Sequence, residues 1–583
     1  MRQHNYMGNQ AIISLLKSTA HLLALHELHV FQVRYYNQAA DFLAQREELL
    51  ESLSLDALKR IPGMSKRLAE IVHEINTTGT WPKWVGLMER TPPGLLKMLE
   101  IKGLGPKKVR KLWKERGIQG WEDLARACAA GQVANLPGFG EKTQQAIQED
   151  LAWRIQQTGQ VHYATALTKA ITVMNDITAN FSNLYISMIG DIRRNMETVD
   201  RVGLLIGTAT TDIGPIKDRL SNLPGIYPIV AQSGPFAWRG QFAEGALDLT
   251  LLFCPKAQFH KELILQTGTT QHLHWTPPSA GQSLGKVITT ADHIADEADG
   301  YARAGLPWIP PELREGHIES AWVQAGAPHL LSLPDLKGPI HVHTTYSDGR
   351  HSLEDMVRYC HQWGYAYVGI ADHSQTARYA GGLTINQVRA QHAAIDALNA
   401  QLAPFRIFKG IESDILPDGS LDYPDAILAE FDFVIASIHA GLNMDQATAT
   451  ARLLKAIHNP FTTFLGHLTG RLLLKRKGYP VDHRAIIDAC AERGVILELN
   501  AHPWRMDIDW RWIHYAKQQN VWISIHPDAH DKIGISDMNY GIYVGCKGGL
   551  TQSHTFNALP VQAVAQHFEK RRAAAQNALL TNP

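Results

Sequence analysis

The stretch Pro339-Ile340-His341-Val342-His343-Thr344-Thr345-Tyr346-Ser347-Asp348-Gly349 sets how the whole chain is read. An apolar lead-in runs into His-x-His, and a turn follows. If Ile340 to His343 ends a strand, the period of two places His341 and His343 on one face. Imidazoles so placed can share a metal ion, and Asp348 on the turn can add a carboxylate. The alternative is two polar residues at a strand end beside a surface turn.

The sequence that follows favours the metal. Apolar runs ending in His, Asp or Glu recur. Tyr367-Val368-Gly369-Ile370-Ala371 ends in Asp372-His373, and Phe405 to Gly410 leads to Ile411-Glu412. Phe433 to Ile438 ends at His439, Phe461 to Gly466 at His467, and Val521 to Ile525 leads to Asp528-Ala529-His530. Helical patterns such as Ser352 to Trp363 and Ile385 to Leu402 lie between them. Apolar strands alternating with helices predict a parallel α/β layout, possible as a barrel. In such folds the site lies at the C-terminal strand ends, where every candidate falls.

On these residues the segment from about 339 to 560 resembles a PHP domain (polymerase and histidinol phosphatase). The resemblance implies metal ligands at His341, His343, Asp348, His373, Glu412, His439, His467, Asp528 and His530, with none missing. Leu468 stands where the family usually has Pro. The resemblance also implies a cluster of up to three divalent metals that hydrolyses phosphoesters. The mixed N and O donors suit Mn2+, Zn2+ or Fe2+, and the resemblance favours Mn2+. Arg471 and Arg505 are candidate phosphate contacts with a catalytic role, each set against a structural ion pair. Asp414 is a candidate support for the site.

At 583 residues the chain is too long for one domain. Its formal charge is zero, so no global field marks a polyanion binder and local patches must be sought. The scattered Cys128, Cys254, Cys360, Cys490 and Cys546 form no C-x-x-C pair, which suits a reducing cytoplasm. Neither a signal core nor an apolar run of about 18 residues is present. A soluble, cytoplasmic, monomeric protein is expected.

Residues 7 to 85 read as helices. Ile61-Pro62-Gly63-Met64-Ser65-Lys66 is followed by two further versions, Ile101-Lys102-Gly103-Leu104-Gly105-Pro106-Lys107-Lys108 and Leu136-Pro137-Gly138-Phe139-Gly140-Glu141-Lys142. These resemble helix-hairpin-helix motifs. Glycine permits a tight turn and close approach, and the next helix N-terminus offers free N–H groups to a phosphate. Gly63, Lys66, Gly103, Gly105, Lys107, Lys108, Gly138, Gly140 and Lys142 are therefore candidate DNA-binding residues. They would grip the backbone without reading sequence.

Residues 160 to 255 resemble the palm of a family X DNA polymerase, around Gly190-Asp191-Ile192-Arg193-Arg194-Asn195-Met196-Glu197-Thr198-Val199-Asp200-Arg201-Val202-Gly203. Arg193, Arg194, Glu197 and Thr198 match the family pattern, and Asp248 matches its third aspartate. The two other catalytic aspartate positions hold Arg201 and Gly203. A fixed cation at one and no ligand at the other oppose a two-metal site, and Asp191 stands where a phosphate-holding Ser is expected. Little or no nucleotidyl transfer is expected. Thr267-Gly268-Thr269 resembles the thumb turn, with Leu265 and Gln266 in place of the expected aromatics.

The expected architecture is multidomain. A helical helix-hairpin-helix N-terminal region (1–85, then a fingers-like 86–158) precedes an α+β nucleotidyltransferase-like palm (159–255) and thumb (256–325). A linker (326–338) leads to a C-terminal α/β PHP barrel (339–583). The resemblance implies a metal-dependent 3′–5′ DNA exonuclease or 3′-end phosphoesterase in base excision repair, acting on gapped or 3′-ended DNA and no membrane. The alternatives are a histidinol-phosphate-like small-molecule phosphatase and a non-catalytic DNA-binding scaffold.

Overall fold

The computed structural model describes residues 9–44, 50, 53–101, 103–243 and 247–581. Leu49, Lys102 and Ala246 of the expected stretches lie outside the described residues. No helix among the described residues is long and apolar enough to cross a membrane. The chain divides into two compact units, 1–158 and 159–583.

The first unit is helical, and its three glycine turns share one geometry. Gly63, Gly103 and Gly138 have φ of 84°, 83° and 88°, a region where a side chain is strained. Each turn is closed by the same bond at 3.0 Å: Met64 N–H to Ile61 O, Leu104 N–H to Ile101 O, and Phe139 N–H to Leu136 O. Helices α1 (Lys66–Thr78), α2 (Pro106–Arg116) and α3 (Glu141–Gln156) start directly after them. Val109 and Leu112 of α2 share a core with Ile147 and Leu151 of α3, so the second and third motifs form one body.

The second unit opens with α4 (Tyr163–Asn180) on a mixed sheet. Its strands are β1 (Tyr185–Ile189), β2 (Arg201–Gly207), β3 (Ile226–Pro228), β4 (Ala237–Phe242) and β5 (Asp248–Cys254), in the order β1-β2-β5-β4-β3. Alternation sorts the faces. Val202, Leu204 and Ile206 join Leu249 and Leu251 in the core with Ala166, Ala170 and Val173 of α4, and with Ile213 and Ile216 of α5 (Thr210–Ser221). The opposite face carries Arg201, Gly203, Asp248 and Thr250.

From Ile340 on, seven parallel strands run in sequence order: β6 (Ile340–Val342), β7 (Tyr367–Ile370), β8 (Arg406–Asp414), β9 (Phe433–Ser437), β10 (Phe464–Leu465), β11 (Ile496–Asn500) and β12 (Ile523–His526). Apart from the exposed Arg406 and half-buried Lys409 of β8 they are buried, which explains the apolar runs. Helices such as α6 (Leu353–Gln362) and α7 (Ile385–Leu402) cross between them. Val342 bridges in parallel to Ala529, and the His343 N–H donates to Ala529 O at 2.9 Å. The last strand thereby meets the first, and the barrel nearly closes.

Candidate metal centre

The side chains of this site come from the C-terminal strand ends. Strand β6 contains a bulge: Ile340 pairs with Gly369, but Val342 pairs with Ile370. The extra residue is His341, at φ 69°. A bulge re-aims side chains, and here the His341 and His343 rings come to 5.1 Å.

Glu412, inside β8 and fully buried, is the hub. Its carboxylate lies 3.3 Å from His341 Nε2, 2.9 Å from His373 Nδ1, 3.1 Å from His439 Nε2 and 3.0 Å from His467 Nε2. Asp528 lies 3.1 Å from His343 Nε2 and 3.7 Å from His341 Nε2. Asp348 lies 3.3 Å from His530 Nε2 and 3.6 Å from His373 Nε2. Four groups have ligand atoms within 4.8 Å of one another: His343-Asp348-His373-His530, His341-His343-Asp528, His373-Glu412-His439 and His341-Glu498-His526.

The donor set fits divalent metal. His341 Nε2 and His343 Nδ1 are buried without a hydrogen bond, a costly state unless something else takes their lone pairs. Burial, then His530 and His373, push His343 down to about 3, so its imidazole is neutral and available. Burial opposes the charge on Glu412, but His439, His341 and His373 outweigh it and hold the carboxyl well below its usual range. His343 and Glu412 already hold the forms that ligate, while the carboxylates around His341, His373 and His439 outweigh burial and raise these imidazoles, so a bound metal would displace protons there. No thiolate takes part, which suits N/O-binding metals.

Further residues fix the ligands. Asp414 Oδ1 lies 2.5 Å from His439 Nδ1, leaving Nε2 to face the centre. Asp372 accepts from Thr344 N–H (2.8 Å), Thr344 Oγ1 (2.7 Å) and Gln391 Nε2 (2.6 Å), pinning the turn that carries Asp348. Two participants were missed in the sequence. Glu498 Oε2 lies 2.7 Å from His341 Nδ1 and 2.8 Å from His526 Nδ1. A signal existed: in Ile496-Leu497-Glu498-Leu499-Asn500 the polar residues alternate at period two, and Asn500 Nδ2 bonds both Glu498 (2.9 Å) and Asp528 (3.0 Å).

The two arginines part ways. Arg505 Nε lies 3.5 Å from Asp528 Oδ2, at the edge of the cluster. Arg471 does not fit the expected phosphate contact. Its guanidinium donates to Glu197, to Met506 O, to Arg505 O at 2.9 Å, and to Asp509 at 3.3 Å. These acceptors occupy its donors and join the barrel to the palm.

In the palm, Arg201 and Asp248 are neighbours across β2 and β5, and Arg201 Nε lies 3.2 Å from Asp200. A Cβ on Gly203 would meet Ile189 Cγ1 at 2.9 Å and Ile189 O at 3.1 Å. Arg193 is bound to Glu297 through two bonds (2.9 and 2.7 Å). Arg194 bonds Asp191, Glu315 (2.9 Å) and Thr267 O (2.6 Å).

At the helix-hairpin-helix turns, Lys66, Lys107 and Lys142 are exposed, each within the first turn of its helix. Lys108 Nζ lies 5.4 Å from the Phe139 ring, linking the second and third motifs. A Cβ on Gly103, Gly105, Gly138 or Gly140 would meet nothing within 4 Å, so their outer side is open to a partner.

Comparison with known proteins agrees with this layout. Residues 7–81 match a helix-hairpin-helix domain, 95–152 a SAM-like helix-hairpin-helix tandem, and 339–502 the PHP domain. A probable phosphatase of Thermoanaerobacter sp. (strain X514) is 25% identical over 40% of this chain and 94% of its own length. One of Clostridium acetobutylicum is 28% identical over 28% of this chain and 63% of its own length. The DNA polymerase/3′–5′ exonuclease PolX of Bacillus subtilis is 32% identical over 97% of this chain and 100% of its own length. With helix-hairpin-helix domains in front and a PHP barrel behind, matched from end to end, the chain belongs to the PolX family.

Proposed function

We propose that this protein is a DNA repair nuclease that removes nucleotides or blocking groups from 3′ ends at its PHP barrel. Its palm has lost nucleotidyl transfer. The observation that carries the reading is the convergence of His341, His343, Asp348, His373, Glu412, His439, His467, Asp528 and His530 at one barrel mouth. In the same chain the second and third glycine turns, at Gly103 and Gly138, leave uncapped helix N-termini open to a backbone.

A bound divalent metal cluster, proposed as Mn2+, supplies Lewis acidity at the phosphoryl oxygens. The chain's own residues do the rest. Glu412, Asp348 and Asp528 concentrate negative charge that balances the cations. Glu498 and Asp414 hold His341 and His439 in the tautomer that presents Nε2 inward. Arg505, at the cluster edge, orients the phosphate. The helix-hairpin-helix lysines hold gapped or 3′-ended DNA by its backbone. Five buried free thiols suit a reducing cytoplasm, and the likeness to the PolX relative supports a role in base excision repair.

The palm supports the loss. Arg201 places a cation where a metal ligand is required, and Gly203 has no side chain and no room for one beside Ile189.

The test uses a 5′-labelled gapped duplex with Mn2+, with and without the four dNTPs, beside His341→Ala. Stepwise shortening that vanishes in His341→Ala is expected. Lengthening with dNTPs would sink the claim about the palm. Hydrolysis of small phosphate esters without DNA shortening would move the assignment to a small-molecule phosphatase.

A further inference from the structure

The loop after His373 is tied down, yet it holds one large ring in the open. Ser374 Oγ accepts from the Asp414 N–H at 2.9 Å, and Thr376 donates its N–H to Asp422 at 2.7 Å and its hydroxyl to Asp414 at 2.8 Å. The Leu383 N–H donates to His373 O at 2.9 Å. Ala377 and Ala380 are buried, and Gly382 sits so close to Ser374 O that no Cβ fits. Between these anchors Tyr379 is 72% exposed. Its ring centroid is 6.3 Å from the ring of the ligand candidate His373.

An exposed aromatic held beside the cluster of ligand candidates offers a ring face on which a ligand can stack. The anchoring has a direct line to the site: Asp414 holds Thr376 with one oxygen and His439 with the other. The height of Tyr379 above the cluster is therefore fixed. Trp504 is a second exposed ring, 50% open, on the loop that carries Arg505. Trp504 stacks on His162 at 5.7 Å, so the free face at the mouth is that of Tyr379, set beside Arg505 and the ligand candidates.

We propose that Tyr379 is a base platform, stacking on the base of the 3′-terminal nucleotide while its phosphate lies at the cluster. The ligand is an unpaired 3′ end carrying any of the bases. Stacking tolerates every base because each has a π face, so the platform adds affinity without sequence preference. This inference rests on the nuclease reading above and narrows its substrate to ends whose last base is unstacked.

The experiment uses the full chain and a single-stranded oligonucleotide ending in 2-aminopurine, with a phosphorothioate at the last linkage to resist cleavage. Quenching of 2-aminopurine on binding, lost in Tyr379→Ala and retained in Tyr379→Phe, is expected. In parallel, the wild type should remove a 3′-terminal thymidine about tenfold faster than an abasic residue, and Tyr379→Ala should erase that preference. Equal quenching in wild type and Tyr379→Ala, or none in the wild type, overturns the platform. Quenching without any cleavage of unmodified ends retains the platform and overturns the nuclease reading instead.

Discussion

Arg471 leaves the barrel and donates to the Glu197 carboxylate of the palm, four residues along the chain from His467. Burial opposes the Arg471 charge, but Glu197, Asp507 and Asp509 outweigh it and raise its pKa above the ordinary value. Nearby, the buried Lys547 donates to Glu315 and, at 3.0 Å, to Arg194 O. Residues that match the polymerase pattern, Arg194 and Glu197, therefore serve the join between palm and barrel.

Breaking such a pair by removing one partner leaves an uncompensated buried charge, at a cost of about 3–5 kcal/mol. Arg471→Ala is expected to lower the urea midpoint accordingly. A double-mutant cycle with Glu197→Gln should return a coupling of roughly 1 kcal/mol or more. Additive effects would show that the contact is screened.

The convergence of the candidate ligands was legible because each sits in a short local motif at the end of an apolar run. The parallel α/β layout was legible in the same runs, but β11 (Ile496–Asn500) was not among them. The bulge at His341 was not legible, since the period of two assumes a regular strand. Glu498 carried only a weak signal, the two-residue spacing to Asn500 inside an otherwise apolar run. Arg471 was assigned to phosphate because an arginine in a turn beside a ligand looks the same whichever way it faces. Its partner Glu197 lies 274 residues away, and only the folded chain brings them together.

Glu498 accepts from two imidazoles and from the His467 N–H at 3.0 Å, so it orients two ligand candidates at once. Loss of such a partner typically weakens metal binding about 10–100-fold. Glu498→Ala is expected to show this drop in a direct metal titration. Unchanged affinity would place Glu498 in packing alone.

Gly203 lies under Ile189, and a Cβ there is too close to Ile189 Cγ1 and O. Gly203→Ala should destabilise by about 1–3 kcal/mol through overpacking. Arg201→Asp with Gly203→Asp should consequently fail to gain primer extension. Extension by that double variant would mean that β1 yields easily and the palm is closer to activity than its packing implies.

Glu297 receives Arg193 and Arg314, the latter at 2.6 Å. Burial alone would raise its carboxyl, but the hydrogen bonds and charges of these arginines lower it from 4.5 to about 2. A carboxyl depressed by folding stabilises the native state above its unfolded pKa. That contribution is lost as pH falls from about 4.5 to 2 and amounts to ~3 kcal/mol at most. Glu297→Gln should be less stable than wild type at neutral pH and should converge with it near pH 2. A constant gap between them across that window would remove Glu297 from the acid response.

Lys107 and Lys142 occupy matching places, each the second residue of a helix whose glycine N-cap makes no side-chain bond. The N–H groups of that first turn are left for an external acceptor, and the lysine adds positive charge beside them. A phosphate bound there would be held by backbone geometry and charge, with no base edge involved. Lys107→Ala and Lys142→Ala should each weaken DNA binding by a similar factor on unrelated sequences. Each should also make the slope of log affinity against log salt shallower by about 1. A loss confined to particular sequences, or an unchanged slope, would mean that these turns do not face the phosphate backbone.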